Sequence, residues 1–593
     1  MSTTCARDPE TLRLERSRPH VVPAARVARP SLPGMAVIAL ALAISVSPAG
    51  ADNTMYRGGS GLSGAYSEKI TLPLALDWRY TTAFAPYNTS SPAVVGKTVY
   101  FAGGNRVYAV SSDSGALKWQ FPVDQPLSTL IASSPAVVDN VVYCGALDGK
   151  LYALNADSGK QMWAFDTRST IGSSPTVQDG VIYFGSGDGR VWAIDAKTGE
   201  SSAGPWKGGV KTSDEITGAP AIANGFVYAL SLDQVIHAIG SATGKERWSQ
   251  RLPGSVLNKS PVAFGDYVYV ADGPNIHCIA GRTGVTKWVQ LLNSDIAVTP
   301  AVSDEGLFLV TNDNHVRSFD SRTGRPRWKT EPKLDFDAVA PPMVSGTTLV
   351  VGTTEGGVYA IDTTSGAIKW TYHLMPASNN TESIGEASNI AAAPVISDGT
   401  VYVISNDGLA AFRSDAVDTL GPLITDTEPD MGIVINGAPP IHMEGKVTDE
   451  GSGVNPDSVR ILLDGVGVPK RPEGRDNEDK PGYKYDVREG IVEYDTPAPT
   501  GASTVVPLAD GRHTITITAS DWMGNTASKS WSFTVDNTIA RRYIRKRDVR
   551  ASQSRGSGQG GPGGYPGGSG RGSGSGGPGG GRGRGGGSGG GGA

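Results

Sequence analysis

The chain has only three cysteines in 593 residues, Cys5, Cys144 and Cys278. So few cysteines exclude a disulfide framework, and no metal-ligand spacing accompanies them. Long apolar runs are also missing. The longest, Met35 to Val46, has twelve residues, too few to cross a bilayer, so no transmembrane segment is expected. No phosphate-cradling glycine loop and no nucleophile–base pair stands out either, which removes the common routes to hydrolysis or phosphoryl transfer. Acid and base are close to balance overall, at a net charge of −5. That balance hides an asymmetry, because residues 541–593 carry +9 and leave −14 for the rest.

What is present first is an export-like leader. Arg26 and Arg29 precede the apolar run, and Ala49 and Ala51 follow it in a small-x-small cleavage pattern. Residues 1–51 are therefore expected to be a signal peptide, 52–69 a linker, and the mature protein periplasmic, cell-surface or extracellular. No lipobox cysteine follows the run.

The body is repetitive. Eight stretches of the form "SSPAVVDNVVYCGALDGKLYALNADSGKQMW" (133–163) recur, anchored at Pro92, Pro135, Pro175, Pro220, Pro261, Pro300, Pro342 and Pro394. Their spacing averages roughly 43 residues, the period of a four-stranded propeller blade. Each copy holds apolar runs of four to six β-branched and aromatic residues separated by turn signals, which excludes helix. A tryptophan marks the fourth strand: Trp119, Trp163, Trp206, Trp248, Trp288, Trp328 and Trp370. The eighth copy stops at Phe412 without one. Trp78, in "LALDWRY" ahead of the first copy, is expected to supply that strand and close the ring, removing free sheet edges. The expected fold is all-β: an eight-bladed β-propeller over 70–415 with N-terminal strand closure.

The turn-plus-tryptophan stretches "DSGALKW", "SATGKERW", "SRTGRPRW" and "TTSGAIKW" resemble the tryptophan-docking motif of pyrroloquinoline-quinone-like propellers. That family includes quinone-dependent dehydrogenases and non-catalytic propellers of the BamB type. The enzymes imply longer inter-blade insertions, a vicinal Cys-Cys pair and a carboxylate–amide set for Ca²⁺. None of these is evident here. The residues ahead of the anchor prolines are small (Ser90–Ser91, Ser133–Ser134, Ser173–Ser174, Gly218–Ala219), with Lys259 the charged exception. Neither quinone nor Ca²⁺ is therefore expected as a cofactor, no catalytic residue is assigned, and the protein is read as no enzyme. His237 and His277 occupy a third-strand slot filled elsewhere by Tyr108, Tyr152, Trp192 and Tyr359, and are read as packing residues.

Binding is expected on the loops that join successive blades, with candidates Asp214, Glu215, Lys259, Asp295, Asp335, Phe336 and Asp337. The longest such loop is 373–389. Residues 416–436 read as a linker, and 437–536 alternate as antiparallel strands ("HTITITAS", "SWSFTV") resembling bacterial immunoglobulin-like sandwich domains. Asp449, Glu450, Asp521 and Asn525 are candidate Ca²⁺ ligands there, against the commoner role of turn-forming acids. Residues 537–593 begin basic and then turn to glycine, 24 of the last 43 residues, a composition that cannot bury a core. Arg555, Arg571, Arg582 and Arg584 each precede glycine. The tail is expected to be disordered, a flexible solubilising segment before anything else, with contact to an anionic surface as the alternative and no specific nucleic acid as partner. The reading is a non-catalytic scaffold of a bacterial envelope, its partner a protein or envelope polymer. The competing readings are a quinone-dependent dehydrogenase and a surface adhesin or glycan binder.

Overall fold

The computed structural model describes residues 53–83, 88–202, 204–376, 388–472, 480–497 and 506–540. The expected leader, most of the tail and residues 377–387 of the longest loop lie outside these. Secondary structure is almost entirely β. Among the described residues, eight consecutive antiparallel sheets follow the eight repeats, as in a β-propeller.

The second repeat shows how sequence makes each sheet. Its first three strands, Ala136–Val138, Val141–Gly145 and Lys150–Asn155, are short apolar runs buried on both faces. Its outer strand, Gln161–Asp166, alternates half-buried and exposed residues because only one face has a neighbour. Face-to-face packing then joins each sheet to the next. Val142, Cys144 and Leu154 of the second sheet meet Ala102 and Val107 of the first, while Tyr143 and Leu151 meet Ile182 and Phe184 of the third. The sequence of such cores continues around, and the last one joins the eighth sheet (Val395, Ile404, Leu409) to the first (Val99, Phe101, Val110). The sheets therefore form a closed ring.

Trp78 lies where the repeat count places it. Its strand, Ala75–Thr81, pairs antiparallel with Gly408–Arg413, the last strand of the eighth repeat. Arg79 adds an ion pair of 2.7 Å to the fully buried Asp407.

Two of the expected fourth strands differ. Trp206 sits in a 3₁₀ turn, Gly204–Trp206, and Val210–Lys211 forms the outer strand of the third sheet instead. The sixth sheet has three strands, Ala301–Ser303, Gly306–Val310 and Val316–Phe319, so Trp328 lies on no strand. Pro205 and Pro326 explain both departures, since proline donates nothing to a ladder.

Residues 52–69, expected to be a linker, are instead part of the ring from Asn53 on. Asn53 exchanges two main-chain hydrogen bonds of 2.8 Å with Val94 of the first sheet. Carbonyls of Thr54, Ser60, Gly61, Ser63 and Gly64 then accept from the amides of Val137, Ile222, Ala263, Val302 and Val344, at 2.6–2.8 Å. All six partner residues stand two positions after an anchor proline. They belong to sheets one, two, four, five, six and seven, in sequence order. At the gap, over the third sheet, Met55 packs with Val177 and Ile182. Ala65–Tyr66 finally pairs parallel with Met343–Ser345, and the Glu68 carboxylate accepts from the Gly399 amide of the eighth sheet. The segment is thus a strap wound around the inside of the ring.

The expected linker 416–436 is also structured. Leu423–Glu428 pairs with His442–Thr448, and Val434–Ile435 pairs parallel with Thr526–Val535. Both belong to a second body of two sheets that share one core, including Ile424, Met443, Ile515, Trp531 and Phe533. Asp426, Pro429 and Asp430 give this stretch a loop-like composition although it forms sheet edges.

Candidate functional site

Three places could carry function: the ring's interior, the inter-sheet loops, and the junction with the second body. The tryptophans frame all three. Trp119 donates Nε1–H to the Ala156 carbonyl of the next sheet's turn at 2.7 Å, and Trp248 does the same to Gly281 at 2.7 Å. Trp78, Trp206, Trp288 and Trp328 reach Ser112, Ser241, Ser321 and Thr363 at 2.6–3.2 Å. The motif's glycine has a direct reason. At Gly159 (φ +68°) an added Cβ would lie 2.6 Å from the Trp119 ring, so the turn must be bare where the indole covers it. Trp163 covers Gly199 in the same way, but its Nε1 finds no acceptor.

Trp370 departs from this scheme. The eighth repeat has no such turn, and Trp370, fully buried, donates to the Ser452 carbonyl of the second body at 3.3 Å. Around it, Tyr372 Oη donates to Glu450 O and the Leu76 amide to Gly451 O. The loop Gly451–Gly453 thus takes the place of the missing docking turn.

At the inner ends of the sheets, the small residues before the anchor prolines link neighbours. Ser91 N donates to Ser134 Oγ and Ser134 N to Ser174 Oγ, both at 2.9 Å; Ala219 N donates to Ser260 Oγ and Ser260 N to Thr299 Oγ1 at 2.9 and 3.0 Å. Inside them runs the strap. Arg57 is fully buried, its Nε donating to Leu62 O at 3.0 Å and its terminal nitrogens to the Pro300 and Pro342 carbonyls. Carbonyl dipoles hold this guanidinium where burial pushes its pKa down.

His237 and His277 are separate, each with its own sheet's carboxylate. His277 Nε2 lies 3.0 Å from Asp272, and His237 Nδ1 2.7 Å from Glu246. The slot has a common chemistry: Tyr152 donates to Asp148, Trp192 to Asp188, and Arg317 to Asp313 in the equivalent positions. A hairpin aspartate that takes a donor explains His277 in the place of Tyr, whereas His237 turns to Glu246 on the fourth strand, and the sequence pattern alone missed Arg317. Burial pushes the Cys144 and Cys278 thiols up to about 12, so neither is a ready nucleophile.

Of the loop candidates, Asp214 and Glu215 are exposed between the third and fourth sheets. Lys259 is buried, donating to Ser255 O at 3.2 Å; burial lowers its pKa, with Asp295 and Asp272 opposing. Lys259 and Asp295 therefore share one locality. Asp335 and Phe336 belong to another, where Asp335 accepts from Tyr359 Oη at 2.9 Å and Phe336 packs 6.1 Å from His373. Asp337 is exposed beside them. A surface cleft of about 670 Å³ between the fifth and sixth sheets, lined partly by Asp266, Tyr267, Asp304 and Arg322, was not anticipated.

At the junction, ligand atoms of Asp418, Asp449 and Asp521 lie within 4.8 Å of one another. Asn525 turns its amide nitrogen to Asp521 at 2.7 Å, so its donor faces this cluster, and Glu450 stands outside it. Burial, with Asp418 and Asp521 adding to it, pushes the Asp449 carboxyl up to about 6. A second group, His442, Glu444 and Glu493, lies within the second body.

Similarity to known proteins follows this architecture. A 182-residue stretch is 34% identical to the serine/threonine-protein kinase AfsK of Streptomyces griseus, covering 25% of this chain and 23% of that one. An 81-residue stretch is 36% identical to the quinoprotein alcohol dehydrogenase PedH of Pseudomonas putida, covering 13% and 14%. The chain thus spans less than a quarter of the length of either curated relative. Among solved structures, a europium-containing methanol dehydrogenase superposes at TM-score 0.50 with 17% identity, over 60% of this chain and 90% of its own. BamB from Moraxella catarrhalis gives 0.47 and 19%, over 59% and 100%. Residues 103–202, 200–263 and 232–420 match the family described as outer membrane protein assembly factor BamB, and the chain belongs to that family.

Proposed function

We propose that this protein is an exported, non-catalytic scaffold of a bacterial envelope, built as an eight-bladed propeller with an immunoglobulin-like domain docked where its seventh and eighth blades meet. The observation that carries this reading is the strap. Its main chain bonds the inner strands of six sheets, the buried Arg57 reaches two further carbonyls, and the positions ahead of the anchor prolines are mostly Ser, Gly, Ala and Thr. Those residues do not fit a quinone and its metal, which need free space and a carboxylate set. The exposed Asp214, Glu215, Asp295, Asp335 and Asp337 then offer an acidic loop face to a basic partner protein or polymer. The basic tail serves an anionic surface. No helix among the described residues is long and apolar enough to cross a membrane.

The short matches to quinoprotein dehydrogenases support the second reading, an enzyme. One experiment separates the two. The protein is incubated with pyrroloquinoline quinone and Ca²⁺ or Eu³⁺, desalted, and examined for quinone absorbance and dye-linked alcohol oxidation. The scaffold reading expects neither; stoichiometric retained quinone with turnover would replace it with the enzyme. In parallel, wild type and an Asp335→Lys/Asp337→Lys variant are used as baits in envelope extract. Loss of the same captured species from the variant is expected, and identical captures would remove the acidic face from the proposal.

A further inference from the structure

The interior of the ring has the properties of a peptide-binding site, and its present occupant belongs to the chain itself. Six main-chain amides, of Val94, Val137, Ile222, Ala263, Val302 and Val344, occupy equivalent positions in six sheets and all donate to carbonyls of residues 53–64. Amides so arranged read main-chain carbonyls and are indifferent to most side chains, and the chain they hold is turned rather than extended, with a 3₁₀ turn at Tyr56–Gly58 and left-handed Arg57 and Leu62. Sterics narrow the choice. At Gly61 an added Cβ would lie 2.5 Å from the Ala263 carbonyl, and at Gly64 it would meet both the Arg57 guanidinium and the Pro342 carbonyl. One place is reserved for a cation: the Pro300 and Pro342 carbonyls receive the guanidinium of Arg57. Leu62, fully buried with Tyr228 and Val268, anchors the apolar side.

We propose that the ring interior is a binding site for a turned, glycine- and serine-rich peptide carrying one arginine and one leucine, held shut in the resting chain by residues 53–66. The site reads backbone through the six amides, excludes side chains at Gly61 and Gly64, and selects arginine through two carbonyls. A covalently attached occupant competes at high effective concentration, so a free peptide enters only when the strap is weakened. This site is independent of any partner on the outer loops.

The test uses the full chain and a fluorescent synthetic peptide with the sequence of residues 53–66. Wild type should show no anisotropy change. Arg57→Ala and Gly61→Val proteins, once shown to melt cooperatively, should bind the peptide saturably. A peptide carrying Gly61→Val should bind those proteins at least about tenfold more weakly, the factor set by loss of one well-placed contact. Folded variants that bind no peptide, or that bind both peptides alike, would overturn the proposal. If Gly61→Val does not fold, Arg57→Ala alone carries the binding test. Hydrogen exchange on wild type gives a further check: the amides of Val94, Val137, Ile222, Ala263, Val302 and Val344 should exchange as slowly as the sheet interiors. Fast exchange there, with the sheets protected, would overturn it equally.

Discussion

Trp370 of the seventh sheet gives its indole hydrogen to Ser452, which lies 82 residues further on and in a different body. Every other docking tryptophan that donates does so to the turn of the next repeat. The second body therefore stands in for a repeat turn, and it is joined to the ring by the ring's own packing rule.

That substitution is testable at Gly453. Its φ is +83°, and an added Cβ would lie 2.9 Å from the Tyr372 ring. Gly453→Val should undock the second body while leaving its own core, which this loop does not enter. Calorimetry should show the single transition split into two, with the ring's component lowered. One unchanged transition would mean that the contact is incidental.

Trp119 and Trp163 should behave differently under the same change. Trp119→Ala should cost roughly 3–5 kcal/mol, as for other buried aromatic truncations. Replacement by Phe separates packing from hydrogen bonding. Trp119→Phe takes from the Ala156 carbonyl its 2.7 Å donor, leaving Tyr100 Oη at 3.3 Å, and should cost about 1 kcal/mol more than Trp163→Phe, whose indole nitrogen has no acceptor to lose. Denaturant midpoints at constant m-value measure both. Equal costs would show that the indole hydrogen bond contributes nothing.

Ring closure rests partly on Arg79 and Asp407. Arg79→Ala removes the guanidinium 2.7 Å from the buried Asp407 carboxylate, which still accepts from Ser405 Oγ, and should destabilise by about 2–4 kcal/mol. Asp407→Asn in the same chain should recover most of that loss. A double-mutant cycle showing simple additivity would assign the effect to side-chain packing alone.

The junction carboxylates predict a pH dependence. Asp449 titrates near 6 in the folded chain against an ordinary value of 3.8. Its contribution to stability is therefore complete below about 3.8 and is lost as pH rises through about 6. Such a shift corresponds to ~3 kcal/mol at most, and partial exposure reduces that to ~1 kcal/mol. In chelator, Asp449→Asn should raise the melting temperature at pH 7 by a few degrees and change nothing at pH 3.5. If added Ca²⁺ stabilises wild type but not the variant, the three carboxylates serve an ion and the repulsion argument falls.

Much of the ring could be read from the sequence because each repeat carries its own register. Anchor proline, alternating strands, glycine and tryptophan recur at fixed distances, so even the strand with Trp78 could be assigned to the far end of the chain. The strap could not. Asn53 to Gly64 act through main-chain carbonyls, and a backbone that bonds through its carbonyls looks, residue by residue, like any glycine–serine linker. The same holds for Gly451–Gly453, whose role depends on a missing turn elsewhere. Trp206 and Trp328 kept their docking role without their strands, since the indole needs only a position beside the next turn. Among the site residues, Lys259 and Asp295 came together because both lie at one sheet boundary, while Asp335 and Phe336, neighbours in the chain, met Tyr359 and His373 of the seventh sheet. Asp418 entered the junction cluster unannounced from a stretch whose composition resembles a loop.

The strap also orders events in time. Asn53 and Thr54 meet the first two sheets, but Gly64 to Glu68 meet strands and turns as far on as residue 399, so the end of the strap must wait for the last repeats before it can settle. At the usual ~5–20 residues per second of synthesis, that wait is roughly 20–70 s. A newly made chain therefore holds sheets with uncovered inner edges for longer than individual sheets need to form. The segment made earliest is the one completed last, and whatever meets the chain during that interval meets sheets whose inner edges are not yet all covered.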